Sequence, residues 1–215
     1  MDAATLSTPV ARKPVSRTAA NRPVRRRFKN VEAFETWAFQ QELGYEFVNQ
    51  QVLKKEMVKD VELMIIWWLN YFFSFTEAHK RRANLISEAG MRLSTNNFRV
   101  PDLSYFRAEQ HFATVKGEHP VAELVIELLS KSESAEDVAD KISDYFAAGV
   151  KVVWYIYPKT ETIYVYTSPK NIEVCEGDDI VTAAPVMPDF QFPAQAIFKQ
   201  ELSGGEAEIA QPGLN

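Results

Sequence analysis

Two acidic residues lie in segments of the sequence that are otherwise apolar. Asp102 is part of the run Phe98-Arg-Val-Pro-Asp-Leu-Ser-Tyr-Phe106, and Glu127 is part of the run Leu124-Val-Ile-Glu-Leu-Leu129. A carboxylate in a buried strand is unfavourable unless it is paired or coordinates a metal. Two of them on neighbouring strands could hold Mg²⁺ (or Mn²⁺), which would activate water for attack on a phosphodiester. The competing interpretation is structural: each residue marks a strand end or forms a salt bridge.

Other chemistries find less support in the composition. Cys175 is the only cysteine, which excludes an internal disulfide and a cysteine-rich zinc site. The three histidines, His79, His111 and His119, have no metal-ligand spacing, so a zinc enzyme is not expected. No arrangement of serine and histidine indicates a nucleophile with its base. Any metal should therefore be a hard cation held by carboxylates.

Strands and helices alternate along the part of the chain that would position these residues. Strand patterns occur at residues 45–56 (a β-hairpin around Asn49-Gln50), 84–87, 90–94, 98–106, 121–129, 150–157 and 162–167. Helical patterns occur at residues 31–41, 58–79 and 134–148, the last one closed by Gly149. With 215 residues and this order, the sequence predicts one α/β domain in which a mixed β-sheet is flanked by helices.

The second helical pattern is unusually aromatic. Residues 63–76 carry no charge and include Trp67, Trp68 and Phe75. This stretch is shorter than the roughly 20 residues of a membrane-spanning helix, and no secretory signal precedes it. We therefore expect no membrane association and a cytoplasmic location. The aromatic residues suit a core helix whose surplus rings cover a homodimer interface, and a base-stacking surface is the alternative.

Charge is distributed unevenly along the chain. Residues 1–29 contain eight basic residues and one acidic residue, a balance of +7, whereas the remainder has 16 basic and 28 acidic residues, a balance of −12. We predict a disordered basic tail at residues 1–27, a domain at residues 28–200 and a flexible tail at residues 201–215. Arg25, Arg26 and Arg27 are candidates for contacts with DNA. The alternatives are a solvated tail with no role and, on the Arg-rich composition, an organelle transit peptide.

Three segments, taken in their order along the chain, resemble those of a known family of proteins. They are Arg99-Val-Pro-Asp-Leu-Ser-Tyr-Phe106, Glu123-Leu-Val-Ile-Glu-Leu-Leu-Ser130 and Asp140-Lys-Ile-Ser-Asp-Tyr-Phe-Ala-Ala-Gly-Val-Lys-Val-Val-Trp-Tyr-Ile-Tyr-Pro158. Together they resemble the bacterial putative restriction endonuclease family, a branch of the PD-(D/E)XK nuclease superfamily. Residues 45–52 are similar to that family's N-terminal hairpin, and residues 187–193 to its late turn. The resemblance covers about residues 31–199.

The resemblance implies a restriction-endonuclease-like fold and a metal site formed by Asp102 and Glu127. It implies that the catalytic lysine is Lys141, supplied by the helix that follows the glutamate strand. Glu46 matches the family's hairpin glutamate and is a candidate for an additional acidic ligand. Gln50 stands where the family has the glycine of the hairpin turn, so a longer or distorted hairpin is expected.

Helical geometry is compatible with this role for Lys141. At about 100° per residue, Val138, Ile142, Tyr145 and Phe146 form an apolar stripe, and Lys141 lies at its edge, about 60° from Val138. Residues 137, 140, 143 and 144 should point further towards water. From the edge of the stripe, the lysine stem could cross the sheet and bring its ammonium to the strand ends. Lys131 is the rival, and a lysine that only pairs with a nearby acid is the alternative.

Two functions remain open on the sequence alone. The first is a metal-dependent endonuclease that hydrolyses DNA. The second is a catalytically inactive nucleic-acid-binding or assembly module on the same fold. The acidic pair and the lysine favour the first, whereas the acidic body favours the second.

Overall fold

The chain forms five α-helices, twelve strands and one 3₁₀ helix within the residues described by the computed structural model, which are 24, 26–41, 44–55, 60–130 and 133–199. The helices are α1 (Val31–Ala38), α2 (Asp60–Phe73), α3 (Glu77–Lys80), α4 (Ala108–Val115), α5 (Ala135–Ala147) and the 3₁₀ helix Ala194–Ile197. The strands are β1 (Tyr45–Val48), β2 (Gln51–Lys54), β3 (Asn84–Ser87), β4 (Met91–Arg92), β5 (Phe98–Arg99), β6 (Leu103–Phe106), β7 (Leu124–Leu128), β8 (Val152–Tyr157), β9 (Thr162–Ser168), β10 (Asn171–Glu176), β11 (Ile180–Ala183) and β12 (Met187–Pro193).

The central sheet has six strands in the order β10-β9-β8-β7-β6-β3. The neighbours β7 and β8 are parallel, and α5 forms the crossover between them, while the other pairs are antiparallel. Strand β7 is buried at every position because both faces of the sheet are covered. The predicted mixed sheet flanked by helices is confirmed.

The two faces of the central sheet belong to different hydrophobic cores. On one face, Ile126 and Trp154 pack with α2 and with the β11-β12 hairpin, where Phe72 stacks on Phe192 with ring centroids 4.8 Å apart. On the other face, Val125 and Val153 pack against the apolar stripe of α5. Successive side chains of a strand point to opposite faces, so Glu127 lies on the α5 side with Val125.

A second sheet, in the order β2-β1-β5-β4, carries the N-terminal hairpin. The prediction of a longer or distorted hairpin was wrong, since β1 and β2 are joined by the two residues Asn49 and Gln50 at φ angles of 49° and 64°. These angles belong to a tight primed turn. The side-chain oxygen of Asn97 accepts the backbone N–H of Asn49 at 3.1 Å, which holds the turn without a glycine.

Several elements differ from the sequence-based prediction. The aromatic helix ends at Phe73 and not near residue 79, because Thr76 is the N-cap of α3 and its hydroxyl accepts the backbone N–H of His79. Residues 187–193, expected as a turn, form strand β12. Helix α4 and strands β10 and β11 were not predicted. None of the helices in the described residues is long and apolar enough to cross a bilayer.

Most of the predicted tails lie outside the described residues, including Arg25 and residues 201–215. The described part of the N-terminal segment contacts the domain. The backbone N–H of Val24 donates to the carbonyl oxygen of Val52 at 2.9 Å, and the Arg26 guanidinium lies 5.1 Å from the centre of the Trp37 ring. Contacts with the domain therefore begin before the predicted boundary at residue 28.

Candidate active site

The two acidic residues lie side by side at the ends of β6 and β7. Antiparallel pairing of Leu103 with Ile126 places Asp102, one residue before β6, opposite Glu127. The backbone N–H of Leu128 donates to Asp102 Oδ2 at 2.8 Å and fixes that carboxylate against β7. Glu127 is almost completely buried, with 2% of its surface exposed. Both side chains lie on the face of the sheet covered by α5.

Helix α5 brings two further polar groups to Glu127. The helix starts at a capping box in which the hydroxyl of Ser134 accepts the backbone N–H of Asp137 at 3.1 Å. One turn apart, Lys141 and Tyr145 then face the sheet. Lys141 Nζ lies 3.3 Å from Glu127 Oε2, and the hydroxyl of Tyr145 donates to Glu127 Oε1. Both oxygens of this buried carboxylate are therefore held by one helix.

Lys141 also contacts a third carboxylate. Its Nζ lies 2.8 Å from Glu133 Oε1, in the loop just before α5. The hydroxyl of Tyr155, the neighbour of Glu127 on β8, donates to the same oxygen at 2.7 Å. The ammonium therefore bridges Glu127 and Glu133.

A second lysine lies on Asp102. Lys55, at the end of the N-terminal hairpin, places its Nζ 3.1 Å from Asp102 Oδ1 and 3.7 Å from Glu88 Oε1. The same ammonium donates to the carbonyl oxygen of Val100 at 2.7 Å. Each carboxylate of the central pair thus has its own lysine, delivered by a different part of the chain.

Glu46 is held by a separate buried ion-pair network. Its Oε1 accepts the backbone N–H of Val100 at 3.0 Å, and its Oε2 lies 3.2 Å from Arg99 Nη1. The other side of the Arg99 guanidinium binds Asp144 Oδ2 at 2.6 Å. The prediction that residue 144 points towards water was wrong, because the Arg99 guanidinium draws its carboxylate inwards.

Burial and charge shift the pKa values of these groups in different directions. For Glu46, burial alone would raise the pKa, but Lys141, Arg99 and the N–H of Val100 outweigh it and lower the pKa below its usual value. For Glu127, burial dominates and, with the negative charge of Asp102, raises the pKa to about 7 although Lys141 opposes it. For Lys141, burial works against the charge, but the surrounding acids, chiefly Glu127, raise the pKa well above its usual value. The lysine is therefore charged at neutral pH.

The raised pKa of Glu127 predicts a pH-dependent stability without metal. A carboxyl group with a higher pKa in the folded state makes folding most favourable below its ordinary pKa of 4.5, and this contribution is lost as the pH rises through about 7. In EDTA, the free energy of unfolding of wild type should therefore fall relative to that of Glu127→Gln between pH 4.5 and 8, by up to about 3 kcal/mol. Urea unfolding at several pH values measures this difference. Glu161→Gln, in an exposed turn, is the control, and parallel pH profiles for wild type and Glu127→Gln would contradict the expectation.

The predicted site residues are only partly brought together. Asp102, Glu127 and Lys141 form one cluster, and Glu46 lies close enough for Lys141 to influence its pKa, but its oxygens bind Arg99 and Val100. The Arg26 guanidinium lies on the ring of Trp37, and both residues are remote from the cluster in the sequence. Arg27 is exposed. Among the described residues, no group of three or more Asp, Glu, His or Cys is arranged as a metal-binding cluster.

Three residues of the cluster were not predicted from the sequence to belong to the site: Lys55, Glu133 and Tyr145. Tyr145 carried a signal, because it lies on the apolar stripe of the helix one turn after Lys141. Lys55 and Glu133 carried none, since each looks like an ordinary charge at the end of an element. The role of Lys55 depends on the contact of the hairpin with Asp102, and that of Glu133 on its contacts with Lys141 of α5 and Tyr155 of β8.

Comparisons with known proteins agree with this architecture. Residues 31–195 match the model of a family described as "Putative restriction endonuclease". Among solved structures, the chain is similar to a "putative nuclease belonging to DUF820" from Anabaena variabilis, with a TM-score of 0.68 and 20% identity over 79% of this chain and 97% of that chain. At this identity the likeness establishes the fold. No curated protein matches the sequence.

Proposed function

We propose that this chain is a metal-dependent endonuclease that hydrolyses DNA phosphodiester bonds. The chain belongs to the family described as "Putative restriction endonuclease", whose model it matches over residues 31–195. The observation that carries the proposal is the opposition of Asp102 and Glu127 across β6 and β7, with the ammonium of Lys141 on Glu127. A buried glutamate that lies beside a half-buried aspartate and a half-buried lysine is costly for folding alone. Such a cost is typical of a functional site.

The donor set suits a hard divalent cation. Asp102 and Glu127 offer carboxylate oxygens, and the elevated pKa of Glu127 reflects first its burial and then the negative charge of Asp102. Mg²⁺ is commonly bound through one or two carboxylates, with water and substrate phosphate completing its shell. We therefore assign Mg²⁺ (or Mn²⁺) to these two residues. Once bound, the ion would polarise a phosphate oxygen and lower the pKa of a coordinated water.

The remaining residues have distinct tasks in this proposal. Lys141 is the catalytic lysine, whose ammonium stabilises charge on the attacked phosphate or orients the attacking water. Tyr145 is a positioning residue, because its hydroxyl holds Glu127 Oε1. The backbone N–H of Leu128 does the same for Asp102 Oδ2. Glu46 acts on the site through charge, and a role as an additional ligand would require it to leave Arg99 or Val100.

Metal binding tests the proposal without requiring turnover. Calorimetric titration with Mn²⁺ should give one binding event in wild type and none in the Asp102→Ala/Glu127→Ala double variant. The double variant should fold, because removing two neighbouring carboxylates relieves their repulsion. Glu161→Ala, in the exposed turn between β8 and β9, is the matched control. Equal heats for wild type and the double variant would overturn the metal assignment.

A second candidate function is a catalytically inactive nucleic-acid-binding or assembly module. The observation that favours it is that all four carboxylate oxygens of Asp102 and Glu127 already have protein partners. A domain of this kind would bind DNA equally with and without divalent metal and would leave the strands intact.

We also assign DNA contacts to the basic N-terminal segment, with Arg25, Arg26 and Arg27 at its junction with the domain. Replacing these three arginines with glutamine should weaken DNA binding and make it less sensitive to salt. The reason is that each lost phosphate contact reduces the slope of log K against log salt by about 0.9. Fluorescence anisotropy at several salt concentrations measures both quantities, and a variant without residues 1–27 should lose more. Triple replacement of Lys159, Lys170 and Lys151 on the domain is the charge-matched control. Unchanged affinity and slope in the truncated protein would refute this role.

The outer face of α2 is the proposed homodimer interface. Leu63, Met64 and Trp67 are exposed there, Phe75 is exposed just beyond the end of the helix, and the rings of Trp67 and Tyr71 stack with centroids 5.8 Å apart. An uncharged apolar stripe is complementary to itself, as a twofold interface requires.

Trp67→Glu should weaken dimerisation by about 30-fold or more, since buried tryptophans contribute at least ~2 kcal/mol. Sedimentation equilibrium would measure it, with Phe112→Glu on the exposed face of α4 as control; a monomeric wild type would contradict the assignment.

A further inference from the structure

Lys55 is held in the candidate site from several directions. Its backbone N–H donates to the carbonyl oxygen of Gly44 at 2.9 Å, which anchors the end of the hairpin. Its Nζ reaches Val100 O at 2.7 Å, Asp102 Oδ1 at 3.1 Å and Glu88 Oε1 at 3.7 Å. Only 13% of the side chain is exposed. The ammonium is thus a fixed cation surrounded by one carbonyl and two carboxylate oxygens.

The oxygens around Lys55 are of the same kind that a hard divalent cation binds. Asp102 has little freedom to serve both cations, since Oδ2 is held by the N–H of Leu128 and only Oδ1 faces the ammonium. Two positive charges near one carboxylate repel each other, and the partly buried setting of Lys55 and Asp102 weakens the screening of that repulsion by water. Lys55 and a divalent ion therefore compete for Asp102.

We propose that the ammonium of Lys55 is a built-in counterion of Asp102, which a divalent cation displaces when it binds. This inference rests on the proposed metal site at Asp102 and Glu127. In the metal-free protein Lys55 neutralises Asp102, whereas Lys141 remains on Glu127 and Glu133. Binding of the metal breaks the contact between Lys55 Nζ and Asp102 Oδ1, so the loss of that ion pair reduces the observed metal affinity.

Substitutions at Lys55 separate charge from packing. Lys55→Met keeps most of the side-chain volume and removes the competing charge, so Mn²⁺ affinity in calorimetry should rise by roughly tenfold, equal to about 1.4 kcal/mol. Lys55→Arg retains the charge and should bind Mn²⁺ as wild type does. Lys54→Met is the matched control, because Lys54 is the exposed neighbour at the end of β2. In an Asp102→Ala background, Lys55→Met should no longer raise the affinity.

A measurement on the wild-type protein avoids dependence on the folding of the variants. Titration with diamagnetic Mg²⁺ should move the Cε and Nζ resonances of Lys55, with a midpoint equal to that of the calorimetric binding. The resonances of Lys54 should stay in place. Lys55 resonances that do not move while Mg²⁺ binds would overturn the proposal.

The outcomes distinguish this inference from the proposed function. If wild type binds Mn²⁺ and Lys55→Met binds it no more tightly, the counterion role is wrong and the metal site stands. If neither wild type nor Lys55→Met binds Mn²⁺ or Mg²⁺, the proposed metal site fails, and the displacement of Lys55 fails with it.

Discussion

Lys141→Ala is expected to reduce DNA cleavage by about 10²–10³-fold or more, the loss seen when one preorganised group that stabilises developing charge is removed. The physical reason is the position of the ammonium, 3.3 Å from Glu127 Oε2 and with only 15% of the lysine side chain exposed. No other described lysine contacts Glu127, so the lost charge has no replacement within that part of the chain. Initial rates of supercoiled plasmid nicking in Mg²⁺ measure the effect.

Two controls identify the loss as catalytic. Lys141→Ala should fold and bind Mn²⁺ nearly as wild type does, because Asp102 and Glu127 are retained. Lys131→Ala, at a position outside the described residues, should lose much less activity. Cleavage by Lys141→Ala at the wild-type rate would show that the lysine only pairs with Glu127 and Glu133.

The second large effect concerns stability. Arg99→Met should lower the free energy of unfolding by about 3–5 kcal/mol, the usual consequence of removing one partner from a buried ion pair. Arg99 is only 4% exposed, and its guanidinium lies between Glu46 and Asp144. Without it, Glu46 keeps the N–H of Val100 but loses its contact with a buried cation. Urea unfolding followed by tryptophan fluorescence measures the change.

Arg107→Met provides the matched control for Arg99. Arg107 pairs with Glu123 at 3.6 Å, and its side chain is 53% exposed, so its removal should cost no more than about 1 kcal/mol. If Arg99→Met is also within about 1 kcal/mol of wild type, the ion pairs of Arg99 with Glu46 and Asp144 stabilise the fold no more than an exposed pair does.

Local patterns were enough to predict the elements around the site. The apolar run that becomes β7 has the pattern of a strand buried on both faces, and the stripe of Val138, Ile142 and Tyr145 on α5 is buried as the helical spacing predicted. The hairpin turn was predicted less well, because Gln50 stands where a glycine was expected, and this suggested a distorted turn. The structure accommodates positive φ at Asn49 and Gln50, a cost that the contact with Asn97 offsets.

Other parts of the fold were not predicted because their local sequence is not typical of the element they form. Strand β12 contains Pro188 and Pro193, which usually argue against a strand, yet Phe190 and Phe192 alternate into the core. Strand β10 lies at the edge of the central sheet, where Ile172 and Val174 are exposed, so its pattern lacks the burial that marks an inner strand. Tertiary packing decided both elements.

The residues of the candidate site likewise include some that could be predicted from the sequence and some that could not. Asp102 and Glu127 could be found because a carboxylate in an apolar run is conspicuous. Lys141 was named by the family resemblance, and its position at the edge of an amphipathic helix is only compatible with that role. Lys55 could not be found, since its role depends on the hairpin meeting the segment before β6. Glu133 has the same origin, because only folding brings it to Lys141 and Tyr155.

The central claim, metal-dependent DNA hydrolysis at Asp102 and Glu127, is tested most directly by one plasmid nicking experiment. Wild type, Asp102→Ala and Glu161→Ala are each incubated with supercoiled plasmid in Mg²⁺, in Mn²⁺ and in EDTA. Wild type and Glu161→Ala should nick the plasmid with either metal and not in EDTA, whereas Asp102→Ala should leave it supercoiled in all three. Intact plasmid with folded wild type in both metals, or equal nicking by Asp102→Ala, would contradict the claim.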